Sequence, residues 1–121
     1  TIVALAVFLA GMPVIYLLRW LAYRPENSPP VGLAIELLGL GSYVTLAVLG
    51  IKRSPWFLAV GIAAHGIVWD VSHYNSTFMP SWYAIMCLLV DIGLGIYTAA
   101  RIPGWRRAAA ARAVAVPRRG H

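Results

Sequence analysis

The chain has 121 residues, of which 60% are hydrophobic and only 12% are charged. Soluble domains carry about 25% charged residues, so this sequence has too few polar side chains to cover a folded domain in water. We therefore expect an integral membrane protein whose surface is covered by lipid. The net charge is +6, but most basic residues flank apolar segments, where they set topology. We accordingly expect no nucleic-acid partner.

Four apolar segments are long enough to cross a bilayer, whose hydrocarbon core of about 30 Å needs roughly 20 helical residues. Proline-rich, asparagine-containing or basic stretches separate them. The predicted spans are 2–23, 31–51, 55–74 and 80–102. The first segment lacks the basic start and the small-residue cleavage site of a signal peptide, so we expect it to be a span. The sequence thus predicts an all-α fold, with four transmembrane helices in one antiparallel bundle over residues 1–103.

Basic residues predict the orientation of these spans. An even number of spans places both ends of the chain on the same side, together with the loop at Lys52 and Arg53. Eight of the ten basic residues fall on that side, and the positive-inside rule makes it the cytoplasm, with a bacterial inner membrane as the expected location. Pro103 and Gly104 are expected to end the fourth helix. The basic tail 104–121 is then either a short interfacial helix or disordered.

Three carboxylates, Glu36, Asp70 and Asp91, fall inside the predicted spans, as do His65, His73 and Arg19. A charge at the bilayer centre costs ~2.5–3.5 kcal/mol, so such residues mark functional sites by default. Counting from the span ends predicts two layers. The outer layer contains Arg19, Glu36, Asp70 and His73, and the layer near the midplane contains His65 and Asp91. As the nearby permanent cation, Arg19 is expected to pair with Glu36 or Asp70.

The helical periodicity predicts that aromatic side chains lie on the same helix faces as these ionisable residues. At 100° per residue, His65, Trp69 and His73 share one stripe of the third span, with Asp70 at its edge. Buried carboxylates and histidines can exchange protons near neutral pH. We expect Asp91, His65 and Asp70 to be the acid–base residues. The expected ligand-binding residues are Trp69, His73, Glu36, Arg19, Tyr16 and Trp20.

The composition of this site favours a small lipophilic molecule that is bound, or processed by acid–base chemistry, within the bilayer. If the protein is an enzyme, we expect a membrane-embedded isomerase or cyclase. A second hypothesis is a dimeric proton-coupled transporter or ion-conducting protein with Asp91 and His65 as coupling groups. A further alternative is a structural or accessory subunit, or an assembly factor, whose buried charges only pair across helices. The expected partners are the lipid bilayer, a small apolar ligand, and either a second copy of the chain or another membrane subunit.

Metal or haem binding is a further hypothesis, with the cofactor unknown. Glu36, Asp70 and His73 could supply a metal-ligand set, and His65 or His73 could be an axial haem ligand. The spacing matches no specific metal signature. The one cysteine, Cys87, excludes a CxxC motif and an intrachain disulfide.

Three short motifs carry a resemblance to known families. They are HGIVWDVSH at 65–73, PSWY at 80–83, and a C-x3-D pattern formed by Cys87 and Asp91. Together they resemble small bacterial four-span membrane families of unknown function, which similarly carry H-x3-W-D-x2-H-like and C-x3-D-like strings on their third and fourth helices. The resemblance covers about a third of the chain. It implies four spans and no particular chemistry.

Overall fold

The computed structural model describes residues 1–23, 31–76 and 78–117. The proline-rich stretch at 25–30, which separates the first two predicted spans, and the end of the tail, 118–121, lie outside these residues. The described part of the chain is helical and contains no strand, which confirms the all-α prediction. In chain order the elements are α1 (Ile2–Tyr23), α2 (Val31–Lys52), α3 (Trp56–Ala64), a π-helical turn (His65–Asp70), α4 (Val71–His73) and α5 (Ser81–Ala115).

Three of these helices, α1, α2 and α5, are long and apolar enough to cross a membrane. The first two follow the predicted spans closely, because each is a long and largely apolar run. Large apolar side chains point outward along the helices: Leu38 is 71% exposed and Ile96 is 67% exposed. Within residues 31–76 and 78–117, the carboxylates and imidazoles lie inside instead. This inverted distribution is consistent with a protein surrounded by lipid.

The third predicted span is helical but is not one regular α-helix. The helix α3, the π-helical turn and α4 follow one another without a break from Trp56 to His73. In a π-helical turn each N–H bonds to the carbonyl five residues earlier, which inserts an extra residue into the turn. Residues five apart, such as His65 and Asp70, therefore come to the same side. The prediction of 100° per residue through this stretch was wrong.

The helix α5 extends well beyond its predicted end. Pro103 lies inside the helix, which runs to Ala115. Proline removes one backbone hydrogen bond, but the alanine- and arginine-rich sequence from 105 to 115 strongly favours helix. Near this extension, Arg106 Nη2 donates to Ser54 Oγ at 3.2 Å. The prediction that Pro103 and Gly104 end the helix was wrong, and the tail is helical rather than disordered up to Ala115.

The packing brings the π-helical turn to the centre of the molecule. α1 packs on α2, and α3 lies between α2 and α5, while the π-helical turn packs directly on α5. The close approach to α5 depends on Gly66, because a Cβ there would lie 2.8 Å from the Asp91 Cβ. Leu9, Leu58 and Ile62 are fully buried nearby and form the apolar part of the core.

Candidate functional site

A buried polar group, here called the inner cluster, consists of His65, Asp70, Asp91 and Tyr16. Nδ1 of His65 lies 2.8 Å from Asp91 Oδ2, at hydrogen-bond distance, and the same nitrogen lies 3.7 Å from Asp70 Oδ1. Tyr16 donates its hydroxyl to Asp70 Oδ1 at 2.6 Å. All four side chains are at most 1% exposed. Side chains from α1, the π-helical turn and α5 thus meet in one buried polar cluster.

The local sequence explains how the inner cluster forms. The π-helical turn begins at His65 and ends at Asp70, so the two side chains face the same neighbours. Gly66 lets α5 approach closely enough for Asp91 to reach the His65 ring. The Tyr43 ring packs edge-on against His65 with centroids 4.8 Å apart. Tyr43 also donates its hydroxyl to the Ala64 carbonyl at 3.3 Å, which anchors α2 beside the turn.

A second polar contact, here called the outer pair, joins His73 and Glu36. Nε2 of His73 lies 2.6 Å from Glu36 Oε1, and Nδ1 lies 2.8 Å from the Trp69 carbonyl oxygen. A carbonyl can only accept, so Nδ1 carries a hydrogen. One further proton is then shared across the Nε2–Oε1 contact. Whether it lies on the imidazole or on the carboxyl group, the pair as a whole is neutral, which suits a buried position.

The outer pair lines a cavity, here called the outer groove. Its volume is ≈ 290 Å³, and Trp20, Ile35 and Phe78 form its apolar walls beside Glu36 and His73. An adjoining cavity of ≈ 280 Å³ shares Ile35 and is lined further along by Tyr43 and Trp69. The two cavities together follow the contact between α2 and the helical segment from Trp56 to His73.

A larger cavity lies elsewhere and is lined by apolar, glycine and hydroxyl-bearing residues. It has a volume of ≈ 620 Å³ and lies along α2, lined by Leu37, Leu38, Gly41, Ser42, Thr45 and Leu46. None of these side chains is titratable: four of the six residues are leucine or glycine, and the hydroxyls of Ser42 and Thr45 donate to carbonyls of their own helix. We therefore place the candidate site at the outer groove, where a cavity and ionisable groups coincide.

The position of Arg19 differs from the prediction. Its Nε donates to the Phe78 carbonyl at 2.9 Å, and its guanidinium carbon lies 5.1 Å from the centroid of the Tyr23 ring. Neither Glu36 nor Asp70 forms a salt bridge with it. The predicted pairing was wrong because the chain between the third segment and α5 offers a closer acceptor. Arg19 instead holds Phe78, a wall of the outer groove that sequence reasoning missed because no periodic pattern covers this connection.

One residue, Asp70, does not lie in the layer of ionisable side chains in which it was predicted. Asp70 lies in the inner cluster rather than beside Glu36 and His73, because the π-helical turn rotates it towards His65. The predicted metal-ligand set of Glu36, Asp70 and His73 is therefore not brought together. Among the described residues, three other side chains could hold a metal ion together. They are His65, Asp70 and Asp91, and one potential ligand atom of each lies within 4.8 Å of the other two.

The predicted aromatic residues are placed around both polar groups. The Tyr16 ring lies 4.6 Å from that of His73, centroid to centroid, so it links the outer pair to the inner cluster. Trp69 packs against the His73 ring at 4.7 Å and onto Gly39, where a Cβ would overlap its indole. Trp20 is half-buried at the groove.

Comparison of this chain with protein-family models, with curated proteins and with solved structures found no match. The resemblance to four-span families stays one of short motifs.

Proposed function

We propose that this protein binds a small lipophilic molecule in the outer groove and exchanges a proton with it through the outer pair. The observation that supports this most is the position of Glu36 and His73. They are 2% and 6% exposed, yet both line a cavity whose other walls are Trp20, Ile35 and Phe78. A neutral pair that shares one proton next to an apolar cavity is suited to general acid–base chemistry.

The shape of the groove restricts the ligand class. Its ≈ 290 Å³ lies at the lower end of ligand pockets, which run from about 300 to 1,000 Å³. The adjoining cavity gives room for an elongated apolar part beside Tyr43 and Trp69. We propose a ligand with one polar or unsaturated group, such as a hydroxyl, a carbonyl or a carbon–carbon double bond. Proton transfer to or from such a group would lead to isomerisation or cyclisation.

The residues divide into contact and support roles under this proposal. Glu36 and His73 contact the ligand, with Trp20 and Trp69 beside it. Asp91, His65 and Asp70, expected from the sequence to be the acid–base residues, do not line the groove. Tyr16 separates them from it, so we assign the direct proton exchange to the outer pair.

A transport path through one chain has less support. Among the described residues, the next buried polar side chain beyond Asp91 towards the C-terminal end of α5 is Thr98. Its hydroxyl donates to the Leu94 carbonyl at 2.7 Å and is not linked to the inner cluster. In the described residues, the buried polar groups that contact one another therefore extend from the outer groove to the centre and do not include Thr98, which favours binding over conduction.

We also propose that the segment from Trp56 to His73 is a fourth span, with both termini in the cytoplasm. Its parts of 9, 6 and 3 residues extend roughly 26 Å at about 1.5 Å per residue, close to the hydrocarbon thickness. It packs between α2 and α5. The charge bias at Lys52, Arg53 and the tail supports the orientation.

The ligand proposal is tested by analysing what the purified protein retains. Native mass spectrometry and organic extraction would be applied to wild type and to Ile35→Trp, which fills the groove. The proposal predicts a small apolar molecule with wild type and its loss in the variant. Identical contents, consisting only of bulk phospholipid, would count against it.

A further inference from the structure

We propose that the inner cluster binds a divalent transition-metal ion through His65, Asp70 and Asp91. This site is separate from the outer groove and does not depend on the function proposed there.

The distances in the inner cluster fit shared coordination. His65 Nδ1 lies 2.8 Å from Asp91 Oδ2 and 3.7 Å from Asp70 Oδ1. Two ligand atoms that are each about 2.0–2.1 Å from a zinc-like ion in tetrahedral geometry lie about 3.3–3.4 Å apart. The observed separations lie on either side of that value. Changes of roughly half an ångström would bring these two separations to that value, and the three ligand atoms all lie within 4.8 Å of one another. The metal would then take the place of any hydrogen on His65 Nδ1.

The charge of the inner cluster provides an independent argument. Asp70 and Asp91 are 1% and 0% exposed, and within the described residues their ionisable partner is His65 rather than a lysine or arginine. One oxygen of each carboxylate lies within 4.8 Å of the other, and two ionised carboxylates at that distance repel each other in a low-dielectric interior. A divalent cation would neutralise both at once. Buried charges are generally paired or coordinate metals.

Two carboxylate oxygens of the inner cluster also lack a hydrogen-bond partner among the described residues. Asp70 Oδ2 and Asp91 Oδ1 are buried without a hydrogen-bond donor among the described residues. Either oxygen could give its carboxylate a second bond to the ion. Such buried acceptors are rare in folded proteins and call for an explanation, of which a bound ion is one.

The ligand types indicate which ions would bind. One imidazole with two carboxylates suits Fe²⁺, Mn²⁺ or Zn²⁺, whereas Ca²⁺ prefers oxygen alone and Cu⁺ prefers sulfur. The Tyr16 hydroxyl, 2.6 Å from Asp70 Oδ1, would orient that carboxylate. Hydrogen bonds to ligating carboxylates commonly do this at metal sites.

The test measures metal per chain in protein purified in detergent without a metal-affinity tag. Separate samples of the wild-type protein would be incubated with Zn²⁺, Mn²⁺ or Fe²⁺. After desalting to remove unbound ions, the bound metal would be measured by inductively coupled plasma mass spectrometry. We expect about one ion per chain for at least one metal. Asp91→Asn and Asp70→Asn should each lower the retained metal at least tenfold. Glu36→Gln, which changes a buried carboxylate outside the cluster, should leave it unchanged.

A second measurement keeps the proposal testable if the aspartate variants do not fold. X-ray absorption at the metal edge of loaded wild type should show nitrogen and oxygen ligands, including one imidazole. Retention of less than a tenth of an ion per wild-type chain for all three metals would overturn the proposal. The inner cluster would then be a hydrogen-bonded group that binds no metal. Equal metal in wild type and both folded aspartate variants would overturn it as well.

Discussion

The imidazole of His73 connects two helical segments through its two nitrogens. Nε2 lies 2.6 Å from Glu36 Oε1 on α2, while Nδ1 donates to the carbonyl of Trp69, one turn back in its own segment, at 2.8 Å. The carbonyl fixes the orientation of the ring and the hydrogen on Nδ1. The second nitrogen is thereby committed to the carboxyl group at the wall of the outer groove.

Replacing Glu36 tests how much this contact stabilises the fold. Glu36→Ala leaves Nε2 of His73 buried without a partner, which should lower the free energy of unfolding by about 1–3 kcal/mol. Glu36→Gln can donate its amide to Nε2 and should lose less than half as much. Denaturant titration in detergent, followed by circular dichroism, measures both. Equal destabilisation by the two variants would contradict a hydrogen-bonded pair.

Packing between α2 and Trp69 is tested by two glycines on the same helix. A Cβ at Gly39 would overlap the Trp69 indole, whereas a Cβ at Gly41 has nothing within 4 Å. Gly39→Ala should therefore destabilise the protein by about 1–3 kcal/mol through overpacking and shift the tryptophan fluorescence. Gly41→Ala should be neutral or stabilising by up to about 1 kcal/mol, since alanine favours helix. The same response from both would exclude close packing at Gly39.

The seam between the π-helical turn and α5 offers a similar comparison. Gly66→Ala would bring a Cβ within 2.8 Å of the Asp91 Cβ and 3.4 Å of the Leu88 carbonyl oxygen. Backbone cannot move aside easily, so we expect α5 to separate from the turn and the protein to lose about 1–3 kcal/mol of stability. Gly93→Ala, on α5 with nothing within 4 Å of the added Cβ, is the matched control. Thermal unfolding of the two variants should differ clearly.

The sequence predicts the parts of this fold that depend on uninterrupted patterns. The first two helices are apolar runs that end at breakers or charges, so their bounds follow from composition. The burial of Glu36, His65, Asp70, His73 and Asp91 also follows, because charged groups avoid lipid.

Other features depend on interactions that a single helical period does not contain. The π-helical turn changes the hydrogen-bond partner of a few backbone groups, and this alone moves Asp70 from the predicted outer layer to His65. Arg19 bonds a carbonyl in a connection without periodicity. Helix continues through Pro103 because the residues that follow it favour helix strongly enough to outweigh one lost hydrogen bond.

The proposed fourth span can be tested by the accessibility of single cysteines. In a Cys87→Ser background, Ser54→Cys and Asn75→Cys place one thiol at each end of the segment from Trp56 to His73. In intact cells an impermeant maleimide should label Asn75→Cys but should reach Ser54→Cys only after permeabilisation. Both thiols labelled from the same side would show that this segment does not cross the membrane.

Photolabelling with a long-chain alcohol that carries an alkyl diazirine tests the outer groove most directly. The labelled residues would be mapped by peptide mass spectrometry. The account predicts saturable labelling at the groove walls, Trp20, Ile35 and Phe78, that falls severalfold in Ile35→Trp. Labelling that does not saturate, and that is spread evenly over lipid-facing residues such as Val60 and Ile96, would contradict a ligand site at Glu36 and His73.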